Sequence, residues 1–383
     1  MISVLPVDKN ALVNARFAAR PNRFLVRAEL DTGEQVDAFM PNPGRLRELL
    51  FPGTRLWLVR LDDSGARKTR FMVIAGERQG RPVLLQTHWN NLVARRLLER
   101  RLVPGLEGAE IVRGEVPEGR SRFDFLLRDT EGDLLLEVKS CSLFGNGVAM
   151  FPDAVTARGR RHLLELAELS GSGRRCRVLF LVHTPNARWF MPDYHTDLEF
   201  SRTLLEVRGR VGILPLALDW SDTLELDETA LRPLPIPWQY IEREAHDRGA
   251  YLLILTLDRG MEISVGALGA AQFQPGFHVY AGSAMGGLTA RINRHLRRRK
   301  QFHWHVDYLR EHASSASALP VRSSDRRECA LADALARIMR PGPEGFGCGD
   351  CRCRTHLFYS PDPPEDRPDF QQLLESFRMR TPE

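Results

Sequence analysis

Apolar and polar positions alternate differently along three stretches of the chain. Residues 1–83 carry short runs in which every second residue is apolar, at 24–30, 35–40, 54–60 and 69–74, with Gly- and Pro-containing turns between them. Strands at this spacing predict a small β-barrel. From 84 to 230 the period changes. Residues 90–99 repeat at helical spacing, two strand-length runs follow at 120–128 and 134–140, a further helical stretch starts after 151, and 177–182 and 212–218 are apolar strands. That alternation predicts a mixed sheet between helices. The proline-spaced Leu231-Arg-Pro-Leu-Pro-Ile-Pro237 opens a stiff linker over 231–248. A third region, 249–360, begins with the strand runs 249–257 and 276–283, which precede a Gly-rich turn and a basic helical run at 290–296. The tail, 361–383, is expected to be loosely attached apart from an amphipathic piece at 370–377.

Composition narrows the class. Of the 383 residues 43% are hydrophobic and 27% charged, as in ordinary globular domains, and the length predicts two or three of them. No apolar run approaches the ~20 residues that span a bilayer, and the first ten residues lack a signal-peptide pattern, so the expected location is cytoplasmic and no membrane partner is expected. A net charge of +5 favours a polyanionic partner. The basic residues cluster at Arg95, Arg96, Arg100 and Arg101, at Arg158, Arg160 and Arg161, and at Arg297, Arg298, Arg299 and Lys300. Any one cluster is otherwise a solvated helix face. Several beside candidate catalytic motifs point to phosphate contact, with DNA as the partner, single- or double-stranded. The rigid turn Pro41-Asn-Pro-Gly-Arg45 is expected to aim Asn42 and Arg45 outward at the same partner, or simply to connect two elements. A homodimer is left open.

The most specific chemistry lies in the runs 120–128 and 134–140. The polar turn around Gly132 makes them a β-hairpin. Glu137 and Lys139 then share one face, and Asp124 on the first strand reaches the same point. Two carboxylates suit Mg²⁺ or Mn²⁺, which prefer hard oxygen ligands and retain water, and a lysine beside them orients or deprotonates that water. A bare Glu-x-Lys is otherwise an ordinary surface pair on an edge strand. Here only Lys9, Lys68, Lys139 and Lys300 among the 54 basic residues are lysine, so Lys139 marks a position where arginine would not serve.

A second constellation follows the linker. Tyr251 and Tyr280 lie on the two strand runs, Arg291 on the basic helix, and Glu328 at the start of another helix. Tyrosines of this kind are commonly half-buried strand residues. Together with an arginine and a carboxylate they supply proton transfer, charge stabilisation and a metal ligand at Glu328. Cys348, Cys351, Cys353 and His356 offer four zinc ligands, yet Cys351 and Cys353 are crowded for one tetrahedral centre. A structural thiol-rich turn is preferred to a zinc site, and the absence of an export signal argues against disulfides.

These residues carry two resemblances. Residues 1–235 resemble the sugar fermentation stimulation protein A family, through Asn22-Arg-Phe-Leu-Val26, Pro41-Asn-Pro-Gly-Arg-Leu46, Arg67-Lys-Thr-Arg70, Ser121-Arg-Phe-Asp-Phe-Leu-Leu127, Glu137-Val-Lys139, Phe151-Pro-Asp-Ala154, Gly159 and His162-Leu163. The resemblance implies an oligonucleotide-binding (OB) barrel followed by a PD-(D/E)XK nuclease-like domain, with Asp124, Glu137 and Lys139 on the nuclease motif and a role in DNA binding and sugar-gene regulation. Ser140-Cys-Ser-Leu143 departs from the family pattern. So does the first helix, where a carboxylate is frequent: Ala94 and Arg95 take its place and Glu99 is the substitute. Residues 239–360 resemble the divergent GIY-YIG-like domain, through Gly249-Ala-Tyr251, Tyr280-Ala-Gly-Ser283, His303-Trp-His-Val-Asp-Tyr-Leu309 and Gly345-Phe-Gly347. Tyr251, Tyr280, Arg291 and Glu328 occupy its catalytic places. The whole is read as a multidomain α+β protein: an OB-like barrel, a restriction-endonuclease-like α/β domain and a GIY-YIG-like α/β domain. The expected function is metal-dependent DNA cleavage, with the alternative of a non-catalytic DNA-binding regulator.

Overall fold

The computed structural model describes residues 1–61 and 69–382 and, at Lys9, the backbone alone. Arg67 and Lys68 of the resemblance stretch therefore lie outside the described residues. The chain divides into two compact units, one formed by 1–193, 199–238 and 381–383, the other by 194–198 and 239–380.

The first unit opens with β1 (Leu12–Asn22), β2 (Leu25–Leu30), β3 (Gln35–Phe39), β4 (Arg55–Arg60), β5 (Phe71–Arg78) and β6 (Arg81–Leu84). They form one sheet in the order β3-β2-β1-β4-β5-β6, closed by a short β3–β5 pairing. That pairing covers the β3 edge, and the inward positions Phe17, Val26, Ala28, Val36, Ala38, Leu56 and Val73 fill the centre. This is the expected OB-like barrel.

Next come α1 (Asn90–Glu99), β7 (Glu110–Glu118), β8 (Ser121–Asp129), β9 (Gly132–Cys141), β10 (Leu143–Gly145), β11 (Val148–Phe151), α2 (Ala157–Gly171), β12 (Arg175–Val182), β13 (Trp189–Pro192), α3 (Leu198–Val207), β14 (Gly212–Ala217) and β15 (Arg232–Pro233). The main sheet runs β15-β14-β12-β9-β8-β7, with β9, β12 and β14 parallel and the outer pairs antiparallel. Both faces are covered, which is why β9 reads as a continuous apolar run. Leu135 joins the core that includes Leu163 and Leu166 of α2, whereas Leu134, Leu136 and Val138 join the core that includes Val93, Ala94 and Leu97 of α1. Glu137 is thereby carried on the α2 side. The segment expected to be a bare linker is partly sheet: β15 pairs with β14, and Leu234 is buried.

The second unit follows α4 (Trp238–Glu244). It contains β16 (Gly249–Leu257), β17 (Met261–Ser264), β18 (Ala270–Phe273), β19 (Gly276–Ala284), α5 (Leu288–Leu296), α6 (His305–His312), β20 (Ser315–Arg322), α7 (Glu328–Ile338), β21 (Arg340–Pro341), β22 (Leu357–Ser360) and α8 (Pro368–Arg378). Its antiparallel sheet has the order β20-β16-β19-β22-β21. Leu288 and Ile292 of α5 and Val306 and Leu309 of α6 share one core cluster; Leu331 and Leu335 of α7 and Phe370 and Leu374 of α8 share another. The amphipathic piece expected at 370–377 lies within α8. Phe370, Leu373 and Leu374, spaced along one helical face, bury α8.

Candidate functional site

In the first unit the β8–β9 hairpin turns through two residues, with Asp129 opposite Gly132 and Phe125 opposite Leu136. One step beyond Phe125 the side chain takes over from the backbone: Asp124 Oδ2 accepts the Val138 N–H at 2.7 Å. Asp124 Oδ1 accepts from Asn91 Nδ2 at 2.6 Å, a contact from the first turn of α1. Glu137 is 3% exposed. Its Oε1 receives Lys139 Nζ at 2.5 Å and faces His162 Nδ1 at 2.6 Å, the latter delivered by α2. Arg158 donates Nε–H to the other ring nitrogen of His162 at 3.4 Å, which leaves the ring proton on Nδ1. Glu137 Oε2 is buried without a hydrogen-bond partner.

The electrostatics follow from that packing. Burial and the neighbouring Glu137 charge push the Asp124 carboxyl up to about 6, against the Val138 and Asn91 hydrogen bonds. Burial also works against charge on Glu137, but the His162 hydrogen bond and the Lys139 charge outweigh it and hold that carboxyl below its ordinary value. An orphaned carboxylate oxygen beside an acid strained by like charge is a donor set that fits a divalent cation. Asp124 and Glu137 are the residues that would hold it.

Sequence reasoning brought Asp124, Glu137 and Lys139 together as the structure does, but missed Asn91 and His162. Glu99, the substitute for a helix carboxylate, instead pairs with Arg96 on the surface at 3.2 Å. Asn91, two turns earlier, reaches the site. An amide there was invisible to a search for charge. His162 had only its spacing to Gly159 as a signal.

The expected outward aim of Asn42 is corrected. It is 7% exposed, its Nδ2 donates to Leu85 O at 3.2 Å, and its Oδ1 accepts from Gly44 N at 2.9 Å. The Asx turn of Asn42 uses its polar atoms internally, as such residues do in tight turns. Arg20 completes the frame by donating to the Asn42, Gly44 and Arg45 carbonyls, which leaves Arg45 exposed. Arg20, Arg23, Arg45, Arg47 and Asp153 line a cavity of about 680 Å³ beneath this turn. Arg158 and Arg161 are exposed on α2.

In the second unit Tyr251, Tyr280, Ser283, Arg291, His305 and Glu328 line a cavity of about 380 Å³. The two tyrosine rings lie 6.4 Å apart. Gly282 makes this possible, because a Cβ there would collide with the Tyr251 hydroxyl. Arg291 stacks on Trp304 at 4.3 Å, which fixes a cation at the wall. Glu328 accepts from the Ser283 hydroxyl at Oε2 and faces His356 Nδ1 at Oε1, 3.2 Å away. Those bonds outweigh its burial and keep it below the ordinary carboxylate range. Burial raises both tyrosine hydroxyls above their usual range, further raised at Tyr280 by Tyr251 and Glu328, and opposed at both by Arg291. Both phenols line this cleft in the protonated form, as hydrogen-bond donors.

Two further expectations change. Lys300 is no free phosphate contact: its ammonium sits 3.0 Å from buried Asp307 and caps the carbonyls of Arg294 and His295 at the end of α5. Arg297, Arg298 and Arg299 are exposed just beyond that helix. In the thiol-rich turn, Cys351, Cys353 and His356 form a close group with Cys329, while Cys348 stands at its edge, its thiol against Cys351 and 3.5 Å from the Phe346 carbonyl. Cys329 was missed because α7 brings it from far away in the sequence.

The fold and its sites define a multidomain protein with an OB-like barrel, a nuclease-like α/β domain and a separate C-terminal module. Family models described as "SfsA N-terminal OB domain", "Sugar fermentation stimulation protein RE domain" and "Domain of unknown function DUF123" match residues 19–85, 88–223 and 250–379. A sugar fermentation stimulation protein homolog from Methanothermobacter thermautotrophicus is 39% identical over 223 residues, covering 58% of this chain and 92% of that protein. A homolog of the same description from Chloroflexus aurantiacus is 40% identical over 210 residues, 55% of this chain and 80% of that one. The chain belongs to the sugar fermentation stimulation protein family, extended by a GIY-YIG-like DUF123 domain. A solved structure of Pyrococcus furiosus SfsA in complex with Ca²⁺ is similar to it, with 28% identity, a TM-score of 0.55, and coverage of 62% of this chain and 99% of that one. Among the described residues no helix is long and apolar enough to cross a membrane.

Proposed function

We propose that the protein is a divalent-metal-dependent DNA nuclease whose first cleft, at Asp124 and Glu137, hydrolyses phosphodiester bonds. The observation that carries this reading is the buried, unpartnered Glu137 Oε2 beside an Asp124 carboxyl raised to about 6. A cation bound there, Mg²⁺ or Mn²⁺, supplies charge stabilisation for the reacting phosphate. The Ca²⁺ in the similar P. furiosus structure supports divalent binding in this family.

The chain's own groups divide the remaining work. His162 and Lys139 keep Glu137 ionised and fixed through one oxygen, so its other oxygen stays available. Asn91 and the Val138 N–H hold the Asp124 carboxylate plane. The Lys139 ammonium, rigidly placed, orients an attacking water as a hydrogen-bond donor. Arg45 on the barrel and Arg158 and Arg161 on α2 bind the DNA backbone, as do Arg297, Arg298 and Arg299 in the second unit. In the second cleft Arg291 neutralises phosphate charge, Tyr251 and Tyr280 donate hydrogen bonds, and Glu328 is the candidate carboxylate for a metal.

A second reading, DNA binding without cutting, is favoured for the C-terminal module by Glu328, whose two oxygens are already engaged by the Ser283 hydroxyl and by His356. The deciding experiment incubates the full chain with single- and double-stranded DNA in Mg²⁺, Mn²⁺ or EDTA. Metal-dependent cutting that Glu137→Gln abolishes supports the nuclease. Binding without cutting under every condition makes the protein a DNA-binding regulator.

A further inference from the structure

Cys329, Cys351, Cys353 and His356 each present a ligand atom, and all four atoms lie within 4.8 Å of one another. Zinc–sulfur bonds of about 2.3 Å in a tetrahedron put ligand atoms roughly 3.8 Å apart, so this cluster needs only a small contraction to close on an ion. All six cysteines are free thiols. We infer that Cys329, Cys351, Cys353 and His356 form a structural Zn²⁺ site that fastens the start of α7 to the loop before β22.

Three features favour this over a chance gathering of thiols. The first is the histidine. His356 is buried, its Nε2 lies 3.3 Å from Cys351 Sγ, and its Nδ1 faces Glu328 Oε1 at 3.2 Å. That is the carboxylate–histidine–metal order in which Nδ1–H is donated outward and Nε2 is left to ligate. The second is the anchoring of the loop. His356 N donates to Phe346 O at 2.8 Å, Ala281 N donates to His356 O at 2.9 Å, and Gly345 N donates to Arg354 O at 2.8 Å. The ligands are therefore presented by a braced segment, as a closed site requires. The third is the donor set. Three thiolates and one imidazole select a thiophilic, tetrahedral ion over Mg²⁺. Four protein ligands leave no open position, which marks the site as structural. On binding, the three thiols release their protons to solvent and the ion joins three thiolates and a neutral imidazole.

Cys329 follows Glu328 directly, so the ion anchors the helix turn that carries the second cleft's carboxylate. Glu328 is then the group that orients His356, whatever chemistry the cleft performs. The crowding of Cys351 and Cys353, which weighed against zinc in the sequence, does not keep their sulfurs from lying within 4.8 Å of each other and of the Cys329 and His356 ligand atoms.

The test uses the full chain purified in reducing buffer without chelator. Elemental analysis is expected to find about one zinc per chain, and exchange with Co²⁺ to give a thiolate-to-cobalt charge-transfer band. Cys329→Ala and Cys353→Ala are expected to lose both signals, whereas Cys348→Ala keeps them. Glu137→Gln also keeps them, which separates this ion from any held in the first cleft. A chain that carries no zinc and binds no Co²⁺ through thiolate overturns the proposal. So does retention of zinc in Cys329→Ala with loss in Cys348→Ala, which would assign a different fourth ligand. If Cys329→Ala fails to fold, the cobalt spectrum of the wild-type chain still decides. These readouts are independent of DNA cleavage.

Discussion

Glu137 and Glu328 each face a buried histidine, His162 at 2.6 Å and His356 at 3.2 Å, but the two pairs are oriented oppositely. In the first unit the carboxylate has the free oxygen, and the histidine stands behind it, with Arg158 on its far nitrogen. In the second unit the histidine's far nitrogen meets Cys351, and the carboxylate stands behind. One motif thus leaves an oxygen free in one place and an imidazole nitrogen beside thiols in the other. What decides is the group on the outer side of the pair, not the pair itself.

Four experiments test whether the two pairs differ in this way. The largest effect is expected from Glu137→Gln. It keeps the shape but removes the charge, so Mg²⁺-dependent cleavage should fall by about 100-fold or more with DNA affinity nearly unchanged. Single-turnover cleavage beside a binding titration measures both, and undiminished cutting would remove Glu137 from the chemistry.

A pH titration of stability comes next. The Asp124 carboxyl is raised from 3.8 to about 6 in the fold, so between those values the folded state binds the extra proton. The contribution of Asp124 to stability therefore declines as pH rises from about 4 to 6, by on the order of 2–3 kcal/mol in EDTA, and is read as the difference between the wild type and Asp124→Asn, because buried His183 and His195 titrate in the opposite sense. Saturating Mg²⁺ should flatten the decline by stabilising the charged form, and Asp124→Asn should abolish it. A melting curve that shows the same slope in Asp124→Asn would place the titration elsewhere.

His162→Ala probes the group behind the first carboxylate. Outer partners of metal ligands typically contribute about 10- to 100-fold in affinity or activity, so the apparent Mg²⁺ requirement should rise by about 10-fold while His162→Gln recovers part of it. Equal loss in both variants, with no change in metal requirement, would make the histidine merely a packing residue.

The smallest effect belongs to the basic run. Replacing Arg297, Arg298 and Arg299 with Ala should weaken binding to all DNA sequences by several-fold and reduce the magnitude of the salt slope by up to about 0.9 for each phosphate no longer neutralised. Lys300→Ala should leave that slope unchanged and lower the melting temperature instead, because its charge is spent on Asp307. A salt slope altered by Lys300→Ala alone would reverse that assignment.

The two sites also differ in how much of them the sequence carried. Asp124, Glu137 and Lys139 sit on adjacent strands of one hairpin, so strand alternation and a polar turn are enough to bring them together. Helix α1 was legible for the same local reason, its apolar spacing marking 90–99. Cys329 and the three loop ligands are joined only by the packing of α7 beside β22, and no local period encodes that. Asn91 was hidden because an amide offers no charge to a search for carboxylates. Asn42 and Lys300 misled in the other direction: a polar residue in a turn and a lysine in a basic run both look solvent-facing, yet Asn42 is turned inward by the Leu85 carbonyl, far along the chain, and Lys300 by buried Asp307 on the next helix. Residue type announced the chemistry; only tertiary contact assigned the address.

The hairpin carries a consequence for how the first site can vary. Thr130 and Glu131 form the turn, at the end of the strands away from Asp124 and Glu137, and Arg175 clasps it through Asp129 at 2.5 Å, Glu131 at 2.8 Å and the Gly132 carbonyl at 2.7 Å. Insertions at that tip lengthen a loop at about 0.6 kcal/mol per doubling and leave the strand pairing alone. Deleting one residue inside β9, by contrast, turns Glu137 and Lys139 to the opposite face at a stroke. The tip of this hairpin can therefore accept added residues at small cost, while the stretch of β9 between the turn and Lys139 is closed to change in length.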